Sequence, residues 1–146
     1  MSSQPSAGPQ QSTVTLLSLT HLMLSREVAE GAARAGHPVK ASHSAVFGQM
    51  SAAGSRLTDL ARGANMTPQA MGELVDELEG LGYVARTPDP SDRRAKRITL
   101  TAAGKECVAA GMGTIADIER RITDALGERR HRDLRKMLLE LLTQSS

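Results

Sequence analysis

Apolar residues recur every three or four positions along most of this chain, which is the spacing of amphipathic helices. Together with the helix-breaking residues between them, they predict six helices, over residues 13–35, 38–52, 59–64, 68–81, 101–125 and 128–143. After the fourth helix, two strand-like runs, YVART and AKRITLT, flank the turn residues DPSDRR and predict a β-hairpin. We therefore expect a mainly α fold with a small β-hairpin (α+β).

The two middle helices carry local start and stop signals. Thr58 is expected to cap the first, and Thr67 caps the second, where Pro68 at the first helical position sacrifices no hydrogen bond. Gly82 ends the second helix. Residues 56–57 are a candidate strand. Two short helices joined by a tight turn form a helix-turn-helix, and the hairpin that follows makes it a winged helix.

The pattern divides the chain into four parts. Residues 1–12 are rich in Ser, Gln, Pro and Gly and predict a disordered tail. N-terminal helices span 13–53, the winged helix-turn-helix lobe 54–100, and C-terminal helices 101–144. The terminal helices carry more apolar surface than a small winged lobe can cover. We therefore expect them to form the dimerisation domain of a homodimer.

Bulk composition narrows the compartment. The chain has 146 residues, a formal net charge of +2 and one cysteine, Cys107, so no intrachain disulfide is possible and a reducing compartment is favoured. The apolar stretch 14–24 is too short to span a bilayer, and no basic residue precedes it as in a signal peptide. We expect a cytoplasmic protein with no membrane partner.

No catalytic or metal site is indicated. The four histidines are scattered without a supporting cluster of Cys or carboxylates, and the GMG sequence at 111–113 follows no predicted strand. Cys107 lies on a predicted helix beside Glu106 and is expected to be buried and inert. The sequence predicts no enzyme, no cofactor and no metal.

Two segments carry a family resemblance. RLTDLARGANMTPQAMGELVDELEGLGYVART and DPSDRRAKRITLTAAGKE resemble the MarR family of bacterial transcription regulators, with similarity over about residues 14–143. The resemblance implies a dimer with interlaced terminal helices and two winged lobes on a palindromic operator. It also implies repression of the regulator's own or neighbouring genes, with a small phenolic or anionic effector as the usual releasing ligand.

Charge along the lobe is uneven. Residues 86–97 hold five cations against two carboxylates, a net +3, whereas residues 66–82 hold four carboxylates and no cation. A positive hairpin tip suits the narrow, negative minor groove of DNA. By resemblance, Arg94 enters that groove and Asp92 orients its guanidinium through a bidentate pair. Arg93, Lys96 and Arg97 are expected to contact phosphates. Arg86 is also expected to belong to the DNA-binding wing.

The helix over 68–81 is expected to enter the major groove with its N-terminal part leading. Its outward residues there are Thr67, Pro68, Gln69, Ala70, Gly72 and Glu73. Gln69 suits adenine, Pro68 and Ala70 suit a thymine methyl, and Glu73 either accepts from a cytosine amine or stays solvated. Many relatives carry a basic residue where this chain has Glu73. Further phosphate contacts are expected from Arg56, Thr58 and Arg62.

The resemblance also implies an effector pocket where the first, second and fifth helices meet the lobe. Its candidate lining residues are His21, His43, Phe47 and Met50, although the same residues also suit plain core packing. A second functional hypothesis stands beside DNA binding. The acidic run at 73–79 fits a helical protein–protein interaction module, such as an anti-regulator with little DNA affinity.

Overall fold

The computed structural model describes residues 12–144, so the predicted tail at 1–12 lies outside the described residues except for Ser12. Six α-helices and one antiparallel hairpin follow in order. Their bounds are α1 (Thr13–Arg34), α2 (Ser44–Phe47), α3 (Leu57–Gly63), α4 (Pro68–Gly80), β1 (Val84–Asp89), β2 (Asp92–Leu100), α5 (Ala102–Leu126) and α6 (Glu128–Thr143). The predicted mainly α fold with a winged helix-turn-helix is confirmed.

Local capping explains where the helices start. The hydroxyl of Thr67 accepts a hydrogen bond from the backbone N–H of Ala70 at 3.1 Å, and Pro68 occupies the first position of α4. Thr101 caps α5 in the same way, accepting from the backbone N–H of Gly104 at 3.0 Å. Gly127, with φ of +81°, separates α5 from α6 in a conformation that favours glycine.

The predicted helix over 38–52 is wrong. Only a 3₁₀ turn at Ala41–His43 and the short α2 form there. The backbone N–H of Lys40 donates to His43 Nδ1 at 3.0 Å, which ties down the chain just before the 3₁₀ turn. Beyond α2, the hydroxyl of Ser51 donates to the carbonyl of Gly54 at 2.5 Å and holds a turn in place of a last helical turn.

Two expectations next to the helix-turn-helix are also wrong. Thr58 does not cap α3, because the helix begins at Leu57 and Arg56 is its N-terminal cap residue. Residues 56–57 do not form a strand either. Ser55 alone pairs with β2, exchanging backbone hydrogen bonds of 2.8 and 3.0 Å with Ile98.

The core sits under α4. Met71, Val75 and Leu78 are fully buried on one face of this helix and pack with residues of α3 and the hairpin, which include Leu60 and Ile98. Burial of a whole aliphatic or Met side chain contributes about 1.5–3 kcal/mol, so this face holds α4 firmly against the wing. The opposite face of α4 is thereby directed to solvent.

The terminal helices leave a large apolar surface uncovered. On α1 and α6, ten aliphatic or Met side chains are more than 40% exposed: Val14, Leu16, Leu17, Leu19, Leu22, Met23, Met137, Leu139, Leu141 and Leu142. Within residues 12–144, no helix combines the length and apolar character that crossing a membrane requires.

Candidate nucleic-acid interface

The two adjacent arginines of the wing lie in an irregularity of β2. The strands pair in register from Val84 with Leu100 to Pro88 with Lys96, and then Asp89 pairs with Asp92. Residues 93–95 are therefore extra on β2, and this bulge lies directly beside the two-residue turn. Bulges redirect side chains away from the sheet. Arg93 and Arg94 are both exposed at this tip.

Asp89 anchors the turn. Its carboxylate is almost fully buried and accepts hydrogen bonds from the backbone N–H of Ser91 at 2.9 Å, the Ser91 hydroxyl at 2.7 Å, and Arg56 Nε at 2.8 Å. The hydroxyl and N–H of Ser91, followed by Arg56, hold the pKa of Asp89 far below its usual range. A carboxylate that stays ionised well into the acid range thus fixes the wing tip to the start of α3.

Arg56 and Arg97, which were predicted to contact phosphates, both lie against the carboxylate of Asp89. Arg56 pairs with Asp89, while Arg97 places Nε 3.6 Å from the same carboxylate and donates from Nη1 to the carbonyl of Ala53 at 3.2 Å. The two guanidinium groups are therefore engaged within the protein. Sequence reasoning missed the anchoring role of Asp89, because Arg56 lies 33 residues away and no local pattern links the two.

Asp92 does not form the expected bidentate pair with Arg94. Its carboxylate instead accepts from the backbone N–H of Arg94 at 3.0 Å, so it shapes the bulge and leaves the guanidinium unpaired. Within residues 12–144, Arg93, Arg94 and Lys96 are exposed wing cations without an ion pair. These three residues, here called the free wing cations, are the ones positioned for an external anion.

Arg86 lies on the other side of the wing. It shares a sheet face with Val84 and is paired with Ile98, both of which are buried, so its side chain extends toward α4. There Nη2 donates to Asp76 at 2.7 Å and Nη1 donates to Glu79 at 2.8 Å. This predicted wing cation therefore pairs with two carboxylates of α4.

A second pair of cationic or polar groups covers Glu77. Buried His43 donates from Nε2 to Glu77 at 2.8 Å, since its Nδ1 already accepts from the backbone of Lys40, and Lys40 Nζ lies 3.3 Å from the same carboxylate oxygen. These hydrogen bonds, the one from His43 first, lower the pKa of Glu77. Lys40 was missed from sequence, because only the fold brings it to α4.

The N-terminal turn of α4 presents most of the residues expected to read bases. Four of them are exposed, namely Thr67, Pro68, Gln69 and Glu73. The two small residues, Ala70 and Gly72, are partly buried. Of the four α4 carboxylates, Glu73 is the one without an ion pair among the described residues. It remains available for a base or for water.

The expected phosphate contacts of α3 are at the surface. Thr58 and Arg62 are both exposed, and Arg62 forms a loose ion pair with Asp59 at 3.4 Å. An exposed pair of this kind contributes about 0–1 kcal/mol and does not hold the arginine in place.

A cavity of about 140 Å³ lies between α1, α2 and α5. His43 and Phe47 line it, but His21 is exposed on α1 and Met50 packs against the core instead. Cys107 also lines the cavity, and burial raises the pKa of its thiol. The four predicted pocket residues are therefore only partly brought together.

Known proteins share this lobe. A MarR family model matches residues 37–95, which include the helix-turn-helix and the wing tip. An HTH-type transcriptional repressor from Mycobacterium tuberculosis is 34% identical over 83 residues, covering 57% of this chain and 60% of the relative. Both matches make this lobe similar to MarR-family regulators. The match spans about 60% of the length of these curated relatives.

Solved MarR-family structures extend the similarity over the full fold. CouR from Rhodococcus jostii bound to p-coumaroyl-CoA is 26% identical with a TM-score of 0.73, covering 93% of this chain and 95% of CouR. The repressor CouR bound to a 23-mer DNA duplex is 27% identical with a TM-score of 0.68, covering 97% of this chain and 98% of CouR. The terminal helices of this chain thus have structural counterparts as well as its lobe.

Proposed function

We propose that this chain is a dimeric, sequence-specific DNA-binding transcription regulator that represses from a palindromic operator. The observation that carries the proposal is the wing tip, where a bulge anchored by Asp89 presents the three free wing cations to solvent. A cluster of unpaired cations on a fixed hairpin is suited to a phosphate-lined groove. CouR, which shares the fold, has been solved on a DNA duplex.

The two elements of the lobe divide the work. The helix over 68–81 enters the major groove with Gln69 and Glu73 leading, and the wing over 86–97 enters the minor groove with Arg94. In the first turn of α4, Pro68 has no N–H and the N–H of Ala70 is donated to Thr67, so the N–H of Gln69 is the one left for a phosphate, and the helix dipole adds attraction there.

Dimerisation follows from the uncovered apolar surface. The exposed side chains of α1 and α6 form the helical dimerisation domain together with the end of α5, and pairing removes them from water. Two lobes related by a two-fold axis then read two half-sites about one DNA turn apart, which requires a palindromic operator.

The cavity is proposed to hold a small effector that releases DNA. Its volume of about 140 Å³ matches a single aromatic ring, because an engineered cavity of about 150 Å³ accepts benzene. His43 lines the cavity and also donates to Glu77 of α4, so a ligand that draws His43 away changes the support of the recognition helix. CouR has been solved with p-coumaroyl-CoA, a thioester of a phenolic acid.

The alternative, a protein-interaction module without DNA affinity, drew its support from the acidic α4. In the structure three of the four carboxylates are paired with cationic or polar partners, which removes most of that support.

A gel shift at low salt with the duplex upstream of the protein's own gene tests the main proposal. We expect a retarded band that excess unrelated DNA does not remove. We also expect light scattering after size-exclusion chromatography to give the mass of two chains. Absence of any shift on palindromic probes, or a monomer at micromolar concentration, contradicts the proposal. Addition of p-coumarate or p-coumaroyl-CoA to the complex is a first test of release.

A further inference from the structure

We propose that Arg86 is a positioning residue that masks the acidic recognition helix from DNA, and that it does not contact phosphate itself. The inference rests on the proposed DNA binding. It assigns a wing cation, which the charge pattern alone counts among the DNA contacts, to a different and testable role.

The acidic residues concerned lie on the face of α4 that would meet DNA. Gln69, Glu73 and Asp76 follow one another at helical spacing and are all exposed, opposite the buried face formed by Met71 and Val75. Glu79 lies three residues after Asp76, at the edge of the same face. Unmasked carboxylates at these positions would face the phosphates of a bound duplex and repel them.

Arg86 is placed to prevent this repulsion. Its two terminal nitrogens each hold one carboxylate, Asp76 at 2.7 Å and Glu79 at 2.8 Å. Its own side chain is only 25% exposed, compared with 69% for Asp76. The guanidinium therefore lies beneath the carboxylates, between the sheet and α4, and both of its outward nitrogens are occupied.

The arrangement requires arginine. A planar guanidinium offers donors at fixed angles and can bridge two carboxylates, whereas the single ammonium of lysine is a point charge on a flexible stem. A lysine at this position would preserve the charge of the wing but hold one carboxylate less well. Comparing arginine with lysine at this position therefore distinguishes masking of the two carboxylates from a general effect of the wing's positive charge.

The test uses fluorescence anisotropy on the duplex upstream of the protein's own gene and compares six proteins, of which Arg86→Lys and a charge-loss control supplement a main set of four. These four are the unmodified chain, Arg86→Ala, the pair Asp76→Asn with Glu79→Gln, and the triple variant combining all three changes. Arg130→Ala, an exposed cation on α6, serves as the matched control for loss of one positive charge. Thermal unfolding checks that every variant is folded, which is expected because exposed ion pairs add little stability.

Masking predicts that Arg86→Ala weakens binding about tenfold, since two carboxylates on the face that meets DNA are left unscreened. The triple variant returns to near the unmodified affinity, because the carboxylates that needed masking are gone. Arg86→Lys is expected to fall between the two, and Arg130→Ala to stay within about twofold.

Two results overturn the inference. If Arg86→Ala weakens binding and the triple variant stays as weak, Arg86 contacts DNA directly. If Arg86→Ala binds as well as the unmodified chain, the carboxylates need no mask. If the unmodified chain itself binds no duplex, the proposed function is refuted instead. This outcome is distinguished by the absence of an anisotropy change with every protein.

Discussion

The salt dependence of DNA binding follows from which wing cations are free. The structure leaves three per lobe, Arg93, Arg94 and Lys96, because Arg86 and Arg97 are engaged within the protein. The two lobes of the proposed dimer therefore bring six free wing cations to the phosphates. Each phosphate neutralised on duplex DNA contributes about −0.9 to the slope of log K against log salt, which predicts a slope of about −5.

A count from charge pattern alone gives a clearly different value. Five wing cations per lobe predict a slope of about −9. Between 50 and 200 mM salt, the first slope lowers affinity on the order of 10³-fold and the second on the order of 10⁵-fold. The gap of about a hundredfold is easily resolved.

Anisotropy titrations on one duplex at four or five KCl concentrations measure the slope. Lys96→Ala is expected to make the slope shallower by about 2, one unit for each lobe. A slope of −9 or steeper for the unmodified chain would refute the assignment of free and engaged cations.

Three further predictions concern folding of the scaffold. Gly31→Ala destabilises the chain in thermal unfolding, because the added Cβ lies 2.0 Å from Thr114 Oγ1, whereas Gly113→Ala, whose Cβ meets nothing within 4 Å, is neutral or stabilising. Leu78→Ala lowers the urea unfolding free energy by about 2–5 kcal/mol, because a fully buried side chain leaves a cavity; a loss below about 1 kcal/mol would show that α4 is not packed as described. The depressed pKa of folded Asp89 means that its contribution is present above the unfolded carboxyl pKa of about 3.9 and is lost as pH falls below it, so Asp89→Asn should flatten the acid limb of stability measured from pH 7 to pH 3.

Local signals made the helix-turn-helix predictable from sequence. The cap at Thr67 and the proline at the first position of α4 both act within a few residues, and the structure confirms them. The hairpin was predictable for the same reason, because its turn residues and alternating strands are contiguous.

The pairing of charges was not predictable in the same way. Lys40 and His43 meet Glu77 across 37 and 34 residues, and Arg56 meets Asp89 across 33, so only the tertiary fold brings them together. For Arg86 a signal was present. It lies two residues after apolar Val84, and strand alternation places such residues on the same face, toward the core.

The helix predicted over residues 38–52 was wrong for a different reason. Residues 38–52 have the composition of a helix, but side-chain bonds of His43 and Ser51 to nearby backbone compete with helical bonds and break the segment into turns. Such competition depends on the three-dimensional positions of the side chains rather than on periodicity.

The central claim, that an anchored wing tip delivers Arg94 to DNA, is tested most directly by one ratio of affinities. The dissociation constants of Arg94→Ala and Arg130→Ala are compared on the same palindromic duplex, since both variants remove one exposed arginine and only Arg94 lies at the wing tip. Loss of a groove contact worth about 1–3 kcal/mol in each lobe predicts that Arg94→Ala binds at least about tenfold more weakly. Equal affinities for the two variants would contradict the claim.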